Sequence, residues 1–259
     1  MEFKQLVDLH CHILPGIDDG SPDIEHSLQL ARDAVVDGVS YILATPHHLD
    51  KNYVNHPDEV SRKVKSFQKI LDEENIPLKI FPGQEVHING DLLDRFDDLL
   101  GVDTKKKYML LELPHGDVPG YTKKLIFELR KAGTIPVIVH PERNKKIQDD
   151  LDILYDFIQM GSLAQLTATS YIGGFGEHVK DISKKLIEHN LVQIIASDAH
   201  ALNGREFELR EALEKIEVDF GEEKAELFAR NAKRMINGQR VILQEFSPVP
   251  RKKHLLKFW

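Results

Sequence analysis

Short runs of Val, Ile and Leu alternate with longer amphipathic segments along almost the whole chain of 259 residues. Such apolar runs are typical of strands buried in a parallel sheet, and the segments between them carry helix signals. Seven strand–helix units with no division into halves predict a closed α/β barrel in one domain. The predicted strands are Leu6–His10, Tyr41–Thr45, Leu78–Pro82, Tyr108–Leu113, Pro136–His140, Leu163–Thr167 and Val192–Ser197.

Residue types mark several helix boundaries between these strands. The sequence Ser21–Asp23 predicts Ser21 as an N-cap, followed by a proline and an acid in the first turn. That helix is expected to end near Gly38, and a later one near Gly133. Two further helices are predicted over Val60–Glu74 and Asp149–Met160, the second from the helical spacing of its apolar residues.

Composition limits the class of protein. Hydrophobic residues make up 41% and charged residues 29% of the chain, as in ordinary globular proteins. No apolar run approaches the roughly 18 residues that span a bilayer, and no signal-peptide pattern opens the sequence, so we do not expect an integral membrane protein. The single cysteine excludes an internal disulfide and favours a cytoplasmic location. The net charge of −8 argues against a nucleic-acid partner.

The last residues differ in composition from the rest. We predict a barrel over residues 1–247 and a basic, aromatic tail over residues 248–259, with the sequence PVPRKKHLLKFW. A tail that packs on the barrel or trails from it is one interpretation, and a contact with a membrane surface or another protein is the other.

Histidines and carboxylates recur where predicted strands end. In a parallel barrel these ends gather at one rim, so the side chains are expected to meet. His10 and His12 are two residues apart in an extended segment and therefore face the same side. Together the candidate ligands are His10, His12, Asp19, His47, Glu85, Glu112, His140, Asp198 and His200.

Nine ligands are too many for one ion, because zinc usually takes about four. Mixed imidazole and carboxylate ligation suits two or three Mn²⁺, Zn²⁺ or Fe ions, and ligand chemistry alone does not choose among them. Multinuclear sites of this kind suit the hydrolysis of phosphate esters. The sequence therefore predicts a metal-dependent phosphoesterase.

Other residues near these ligands have narrower roles. Arg143 follows His140 in the sequence HPER and is a candidate for binding phosphate oxygens. Asp19 is a candidate either for binding metal or for protonating the leaving group, whereas Asp18 beside it is expected to form or cap a turn. Cys11 lacks the arginine of a cysteine phosphatase loop six residues later, and we expect it to be a small buried residue.

Six segments occur in the order and spacing of a known group: DLHCHILPGIDDG, ATPHH, PGQEV, LLELP, VIVHPERN and ASDAH. Together they resemble the polymerase-and-histidinol-phosphatase (PHP) superfamily. More narrowly, they resemble the manganese-dependent protein-tyrosine phosphatases of Gram-positive capsule and exopolysaccharide loci. The resemblance extends from Leu9 to the tail.

This resemblance implies a distorted seven-stranded (β/α) barrel, the PHP fold, that holds three Mn²⁺ ions, with Fe or Zn as alternatives. It also implies that Arg143 steadies the phosphate and that Asp19 and His47 stand near the leaving group. The implied ligand sets are His10, His12, Glu85 and Asp198 for one ion, Glu85, Glu112 and His140 for a second, and Asp19, His47 and His200 for the third.

The implied substrate is a phosphotyrosine cluster of a bacterial tyrosine kinase that controls polysaccharide synthesis. The same metals also suit a small-molecule phosphatase of histidinol-phosphate type, so the substrate is less constrained than the chemistry. A metal-dependent nuclease is disfavoured by the acidic balance. A barrel that binds metal only for stability does not account for nine ligands and an arginine.

Overall fold

A computed structural model describes residues 3, 5–202 and 204–250 of the chain. Its strands are β1 Leu6–Cys11, β2 Val39–Ala44, β3 His47–His48, β4 Lys79–Pro82, β5 Glu85–His87, β6 Tyr108–Glu112, β7 Ile135–Val139, β8 Leu163–Thr167 and β9 Ile194–Ala196. Its α-helices are α1 Ile24–Val36, α2 Pro57–Glu73, α3 Thr122–Lys131, α4 Lys145–Asp149, α5 Asp152–Gln159, α6 Ala168–Ile172, α7 Glu177–Glu188, α8 Leu209–Phe220 and α9 Glu222–Ile236.

Two of the seven strand positions are interrupted. The chain leaves β2 and re-forms as β3 two residues later, and β4 and β5 are related in the same way. The two interrupted positions stay hydrogen-bonded to each other across the interruption. Gly83 N–H donates to the Ala44 carbonyl at 2.9 Å, and Glu85 N–H donates to the Pro46 carbonyl at 3.1 Å. The nine short strands therefore occupy seven positions, as predicted.

The strands close into a ring in which every pairing is parallel. One sheet has the order β1-β2-β4 and the other the order β3-β5-β6-β7-β8-β9. The segment after β9 is hydrogen-bonded to the end of β1, which closes the ring. Asp198 N–H donates to the His10 carbonyl at 2.9 Å, and His12 N–H donates to the Ala199 carbonyl at 3.0 Å. The prediction of a distorted (β/α) barrel in a single domain is confirmed.

The barrel is split at its N-terminal end, between β4 and β6. Within the described residues β4 pairs with β2 alone, while β6 pairs with β5 and β7. The outer edge of β4 is partly covered by the Gln68 side chain, which donates to the Leu78 carbonyl and accepts from Ile80 N–H. Pro82 has no N–H to offer, so neither Ile80 nor Pro82 provides a free donor to a further strand at this edge.

Three helix predictions were wrong at their starts, and one of these helices is α2, which begins at Pro57 and not at Val60. Asp23, and not Ser21, caps α1, because its carboxylate accepts the N–H of His26 at 3.0 Å. The helix predicted over Asp149–Met160 begins only at Asp152, after α4 ends and the chain turns. The predicted ends near Gly38 and Gly133 are confirmed, with φ angles of 87° and 90°.

Two apolar cores hold the fold together. A smaller one fills the barrel interior with side chains such as Leu9, Tyr108 and Val139. The larger one lies between the strands and the surrounding helices. None of the described helices is both long and apolar enough to cross a membrane. The division at residue 247 stays a prediction, because residues 251–259 of the proposed tail lie outside the described part.

Candidate metal centre

All nine predicted ligands gather at the C-terminal rim of the barrel. Each comes from the end of a strand or from the loop that follows it, and β8 alone among the seven positions supplies none. Most of these side chains are buried; Asp19, whose side chain is 44% exposed, faces the opening. The rim therefore encloses a deep polar cluster with one accessible side.

The first group forms around the His-x-His pair. The Nε2 atoms of His10 and His12 are 3.2 Å apart, and Asp198 Oδ1 lies 3.5 and 3.6 Å from them. Glu85 Oε2 is 3.2 Å from each of the two imidazole nitrogens. The four residues that the family resemblance assigned to one ion thus converge on one point.

A second group shares Glu85 with the first. Its other oxygen, Oε1, is 2.7 Å from Nε2 of His140, so the carboxylate faces two groups in the manner of a bridging ligand. Glu112 shares a cluster of candidate ligand atoms with Glu85 and His47. Its Oε2 lies 3.6 Å from Nδ1 of His47 and 3.1 Å from Nδ1 of His87.

The third group lies nearest the opening. Asp19 Oδ1 is 3.4 Å from Nε2 of both His47 and His200. His12 contributes a fourth candidate ligand atom within the same small volume. The three residues implied for the third ion are therefore together, with His12 between this group and the first.

Two ligands stand on strained backbone. His140 has φ 37° and ψ 50°, and Asp198 has φ 52°, both in the left-handed region that non-glycine residues seldom adopt. Such conformations cost on the order of 1–3 kcal/mol and persist where surrounding contacts impose them. Here the strain turns each side chain inward at the end of its strand.

Several buried polar atoms of the cluster have no hydrogen-bond partner within the described part of the chain, as is expected of metal ligands. Among the described residues, buried atoms without a hydrogen-bond partner include His47 Nδ1, Glu85 Oε2, Asp198 Oδ1 and His200 Nε2. An unpaired buried polar atom is costly, and four converging ones are far from typical of a folded core. Because all four are lone-pair donors of the kind that Mn²⁺, Zn²⁺ and Fe accept, the residues fit bound cations.

Charges within the cluster are strongly coupled. Burial alone lowers the pKa of His12, but the Asp18 carboxylate outweighs it and raises the value to about 9. At His47 burial is again outweighed, chiefly by Glu85, and the pKa rises to about 12. His200 differs, because burial and the nearby His12 lower its pKa to about 4. Protons on two histidines thus balance the buried carboxylates where cations would otherwise do so.

Residues behind the ligands fix their orientation. Gln165 Oε1 accepts from Nδ1 of His10 at 2.7 Å, and Asp18 Oδ2 lies at the same distance from Nδ1 of His12. Each contact leaves Nε2 free to point into the cluster. Gly20 is required in the Asp18 turn, since a Cβ there would lie 2.1 Å from the His12 carbonyl oxygen.

Two arginines border the cluster, and only one of them was predicted. Arg143 Nη2 donates to Asp198 Oδ2, and Arg205 Nη2 donates to the same oxygen at 2.7 Å. Both Nε atoms are buried and lack a hydrogen-bond partner among the described residues. The Phe175 ring lies 5.2 Å from the Arg143 guanidinium carbon. Unpaired guanidinium N–H groups at the border of the cluster favour an anionic substrate.

Three other residues with polar side chains do not join the cluster. His48 turns away from the cluster, where its Nδ1 accepts the N–H of Asn55. Tyr171 is buried and donates to Asp219, so it does not reach the opening. Cys11 is buried, and burial raises the pKa of its thiol well above the ordinary value, which opposes thiolate chemistry.

The chain matches the family described as "Capsular polysaccharide synthesis, CpsB/CapC" over residues 6–237. It is 40% identical over 252 residues to the tyrosine-protein phosphatase YwqE of Bacillus subtilis (strain 168), covering 96% of this chain and 98% of that protein. It is 34% identical over 256 residues to the putative tyrosine-protein phosphatase CapC of Staphylococcus aureus, covering 98% of each.

Solved structures agree with this relationship. A chain from the crystal structures of YwqE from Bacillus subtilis and CpsB from Streptococcus pneumoniae, described as unique metal-dependent tyrosine phosphatases, matches with a TM-score of 0.92 and 40% identity, covering 95% of this chain and all of that one. The lactonase Lmo2620 of Listeria monocytogenes shares the fold alone, with a TM-score of 0.53 and 11% identity over 91% of this chain and 95% of that one. The motifs, the fold and the matches agree, and the chain belongs to the CpsB/CapC family of capsular polysaccharide synthesis.

Proposed function

We propose that this protein is a metal-dependent tyrosine-protein phosphatase that hydrolyses phosphotyrosine on a protein. The observation that carries the proposal is the convergence of four unpartnered buried ligand atoms beside two arginines. Relatives that match nearly the whole chain are named tyrosine-protein phosphatases, which supports the same activity.

Three Mn²⁺ ions are the proposed cofactor, with Fe or Zn as alternatives. His10, His12, Glu85 and Asp198 would hold one ion, and Asp19, His47 and His200 another. Glu85, Glu112 and His140 would hold the third, with the second oxygen of Glu85 toward His140. When bound, such ions activate water as a nucleophile and neutralise the charge of a phosphate ester.

The arginines are proposed to bind the phosphate. Arg143 and Arg205 lie on the same side of Asp198, and a guanidinium presents paired N–H donors that match phosphate oxygens. Phe175 against Arg143 limits the rotation of the guanidinium. The arginines thereby orient the ester and stabilise charge on its oxygens during transfer.

Asp19 and His47 are proposed to act at the leaving group. Asp19 is the most exposed of the nine ligands, so a substrate enters past its carboxylate and the His47 ring. A phenol has a pKa of about 10, so tyrosinate leaves without full protonation. Asp19 and His47 therefore need only to stand beside the phenolic oxygen as it leaves, because the bond can break without full protonation of that oxygen.

The substrate is proposed to be a bacterial tyrosine kinase and its targets, in the control of capsular or exopolysaccharide synthesis. Family membership supports that process. We place the reaction in the cytoplasm, where a phosphorylated kinase tail is available and where one buried free cysteine stays reduced.

The test is phosphate release by metal-stripped protein, with and without added Mn²⁺. A tyrosine-phosphorylated peptide, its serine-phosphorylated counterpart and histidinol phosphate are compared at equal concentration. Mn²⁺-dependent turnover of the first, lost in His12→Ala and kept in the exposed-histidine control His26→Ala, is expected. Faster turnover of histidinol phosphate would reject the tyrosine phosphatase and favour the small-molecule enzyme.

A further inference from the structure

The split between β4 and β6 opens a cavity at the end of the barrel opposite the metal centre. Its volume is about 690 Å³, within the range of small-molecule sites. Phe81 and Pro82 of β4 form one wall, and Leu100 and Val102, which precede β6, form the other. Because β4 and β6 are not paired here, the cavity reaches the barrel interior at Val7.

The walls are mainly apolar and partly aromatic. The Tyr41 and Phe81 rings lie nearly parallel at the mouth, with centroids 6.4 Å apart and an angle of 24° between their planes. Both rings are more than a third exposed, at 37% and 38%. Exposed aromatic rings beside a concave apolar surface are typical of a ligand site and not of a fully buried hydrophobic core.

The ionic groups at the cavity favour an anion. Lys106 and Lys233 both line it. Lys106 Nζ donates to the Phe96 carbonyl at 2.8 Å, and Lys233 lies on the exposed face of α9. Asp103, the acid among the lining residues, is already occupied, because its two carboxylate oxygens accept the N–H groups of Lys105 and Tyr108. A ligand therefore meets the exposed Lys233, a second cation that is held at the Phe96 carbonyl, and a carboxylate whose two oxygens already accept backbone N–H groups.

A peptide strand does not suit this site. Gln68 occupies the Leu78 carbonyl and the Ile80 N–H, and Pro82 has no N–H, so strand addition at this edge of β4 has few hydrogen bonds to gain. A concave apolar volume with lysines at its border suits a compact amphipathic molecule instead. We propose that the cavity between β4 and β6 binds an organic anion with an apolar body, at a site separate from the phosphatase centre.

The test uses two fluorescent probes that differ only in charge. 8-Anilinonaphthalene-1-sulfonate carries a sulfonate on the same aromatic body as the neutral N-phenyl-1-naphthylamine. Lys233→Glu is expected to weaken binding of the sulfonate probe roughly three- to tenfold and to leave the neutral probe unchanged. The matched control is Arg230→Glu, the same charge change one turn earlier on α9 at a residue that does not line the cavity.

A second variant tests the volume and not the charge. Leu100→Trp places a larger side chain in the wall and is expected to abolish binding of both probes, with circular dichroism confirming the native fold. Equal losses in Lys233→Glu and Arg230→Glu, or an unchanged titration in Leu100→Trp, would overturn the proposal. Sedimentation velocity tests for a second copy of the chain at the cavity. If the protein is a dimer that Lys233→Glu dissociates, the cavity is an interface between two copies and the ligand proposal is overturned.

Discussion

Asp18 holds the His12 ring in place: its Oδ2 lies 2.7 Å from Nδ1 of the imidazole, on the side away from the ligand cluster. The other oxygen accepts the N–H of Gly20 at 3.0 Å, so the carboxylate is itself fixed by the turn. A carboxylate behind a ligand histidine sets its tautomer and raises its basicity as a ligand. Asp18, which sequence reasoning assigned to the turn alone, is therefore expected to determine metal affinity.

Asp18→Asn removes this charge at nearly constant size. We expect metal affinity to fall about 10- to 100-fold, the range seen when such outer partners of metal ligands are lost. The measurement is Mn²⁺ titration of the metal-stripped protein by calorimetry. Asp181→Asn, at an exposed position on α7, is the matched control. If Asp18→Asn binds Mn²⁺ as tightly as Asp181→Asn does, Asp18 has no role in metal binding.

Metal uptake is expected to release protons. The raised pKa values of His12, about 9, and His47, about 12, mean that both imidazoles are protonated at pH 7 without metal. A metal ligand must be deprotonated, so binding displaces these protons, and affinity rises as pH increases toward 9. Calorimetry in two buffers of different ionisation enthalpy measures the release. A binding enthalpy independent of the buffer would contradict the protonated state.

Arg205 tests the proposed phosphate site. Arg205→Met is expected to lower kcat/KM for a phosphotyrosine peptide about 10²- to 10³-fold, as when a donor to a transition-state oxyanion is removed. Arg205→Lys keeps the charge but not the paired donors and should recover only part of the loss. Metal content is measured on the same samples because Arg205 also contacts Asp198. Full activity in Arg205→Met with normal metal content would show that Arg205 does not bind the phosphate and that Arg143 is the remaining arginine candidate.

Strand ends explain why the nine candidate ligands were found from the sequence. Parallel strands bring their C-terminal ends to one rim, so position in the repeat was sufficient to bring His10, Glu112 and Asp198 together. The interruptions that create β3 and β5 were not predicted, because they depend on pairing across the sheet. The position of Glu112 beside His47 was also not predicted, because it depends on the direction of the Glu112 side chain.

Residues that act behind the ligands gave weaker signals. Gln165 lies in the one strand position without a ligand, and its role is visible only once the barrel closes and places it 2.7 Å from His10. Arg205 stands in an irregular segment seven residues beyond Asp198, where no period constrains its direction. A polar residue inside an otherwise apolar strand, such as Gln165, is the sequence feature that indicates such a role.

Gln84 connects the two ends of the barrel. It follows the cavity wall at Pro82 and precedes Glu85, and its buried side chain accepts the N–H of Leu100 at 2.6 Å and donates to the Asn55 carbonyl at 2.7 Å. Asn55 in turn donates to the His47 carbonyl at 2.8 Å. One amide thus joins the loop before β6 to the segment that carries a candidate ligand.

Gln84→Ala is expected to lower the free energy of unfolding by roughly 2 to 4 kcal/mol, because the Asn55 carbonyl, which is buried, and the Leu100 N–H, which is partly buried, each lose a partner at about 1–3 kcal/mol. The measurement is urea denaturation of the metal-stripped protein, so that cation binding does not add to the difference. Gln29→Ala, at a side chain that donates to Asp33 on the surface of α1, should change stability by less than about 0.5 kcal/mol. Equal destabilisation by the two substitutions would mean that the Leu100 and Asn55 backbone groups find other partners, and that the amide does not join the two ends.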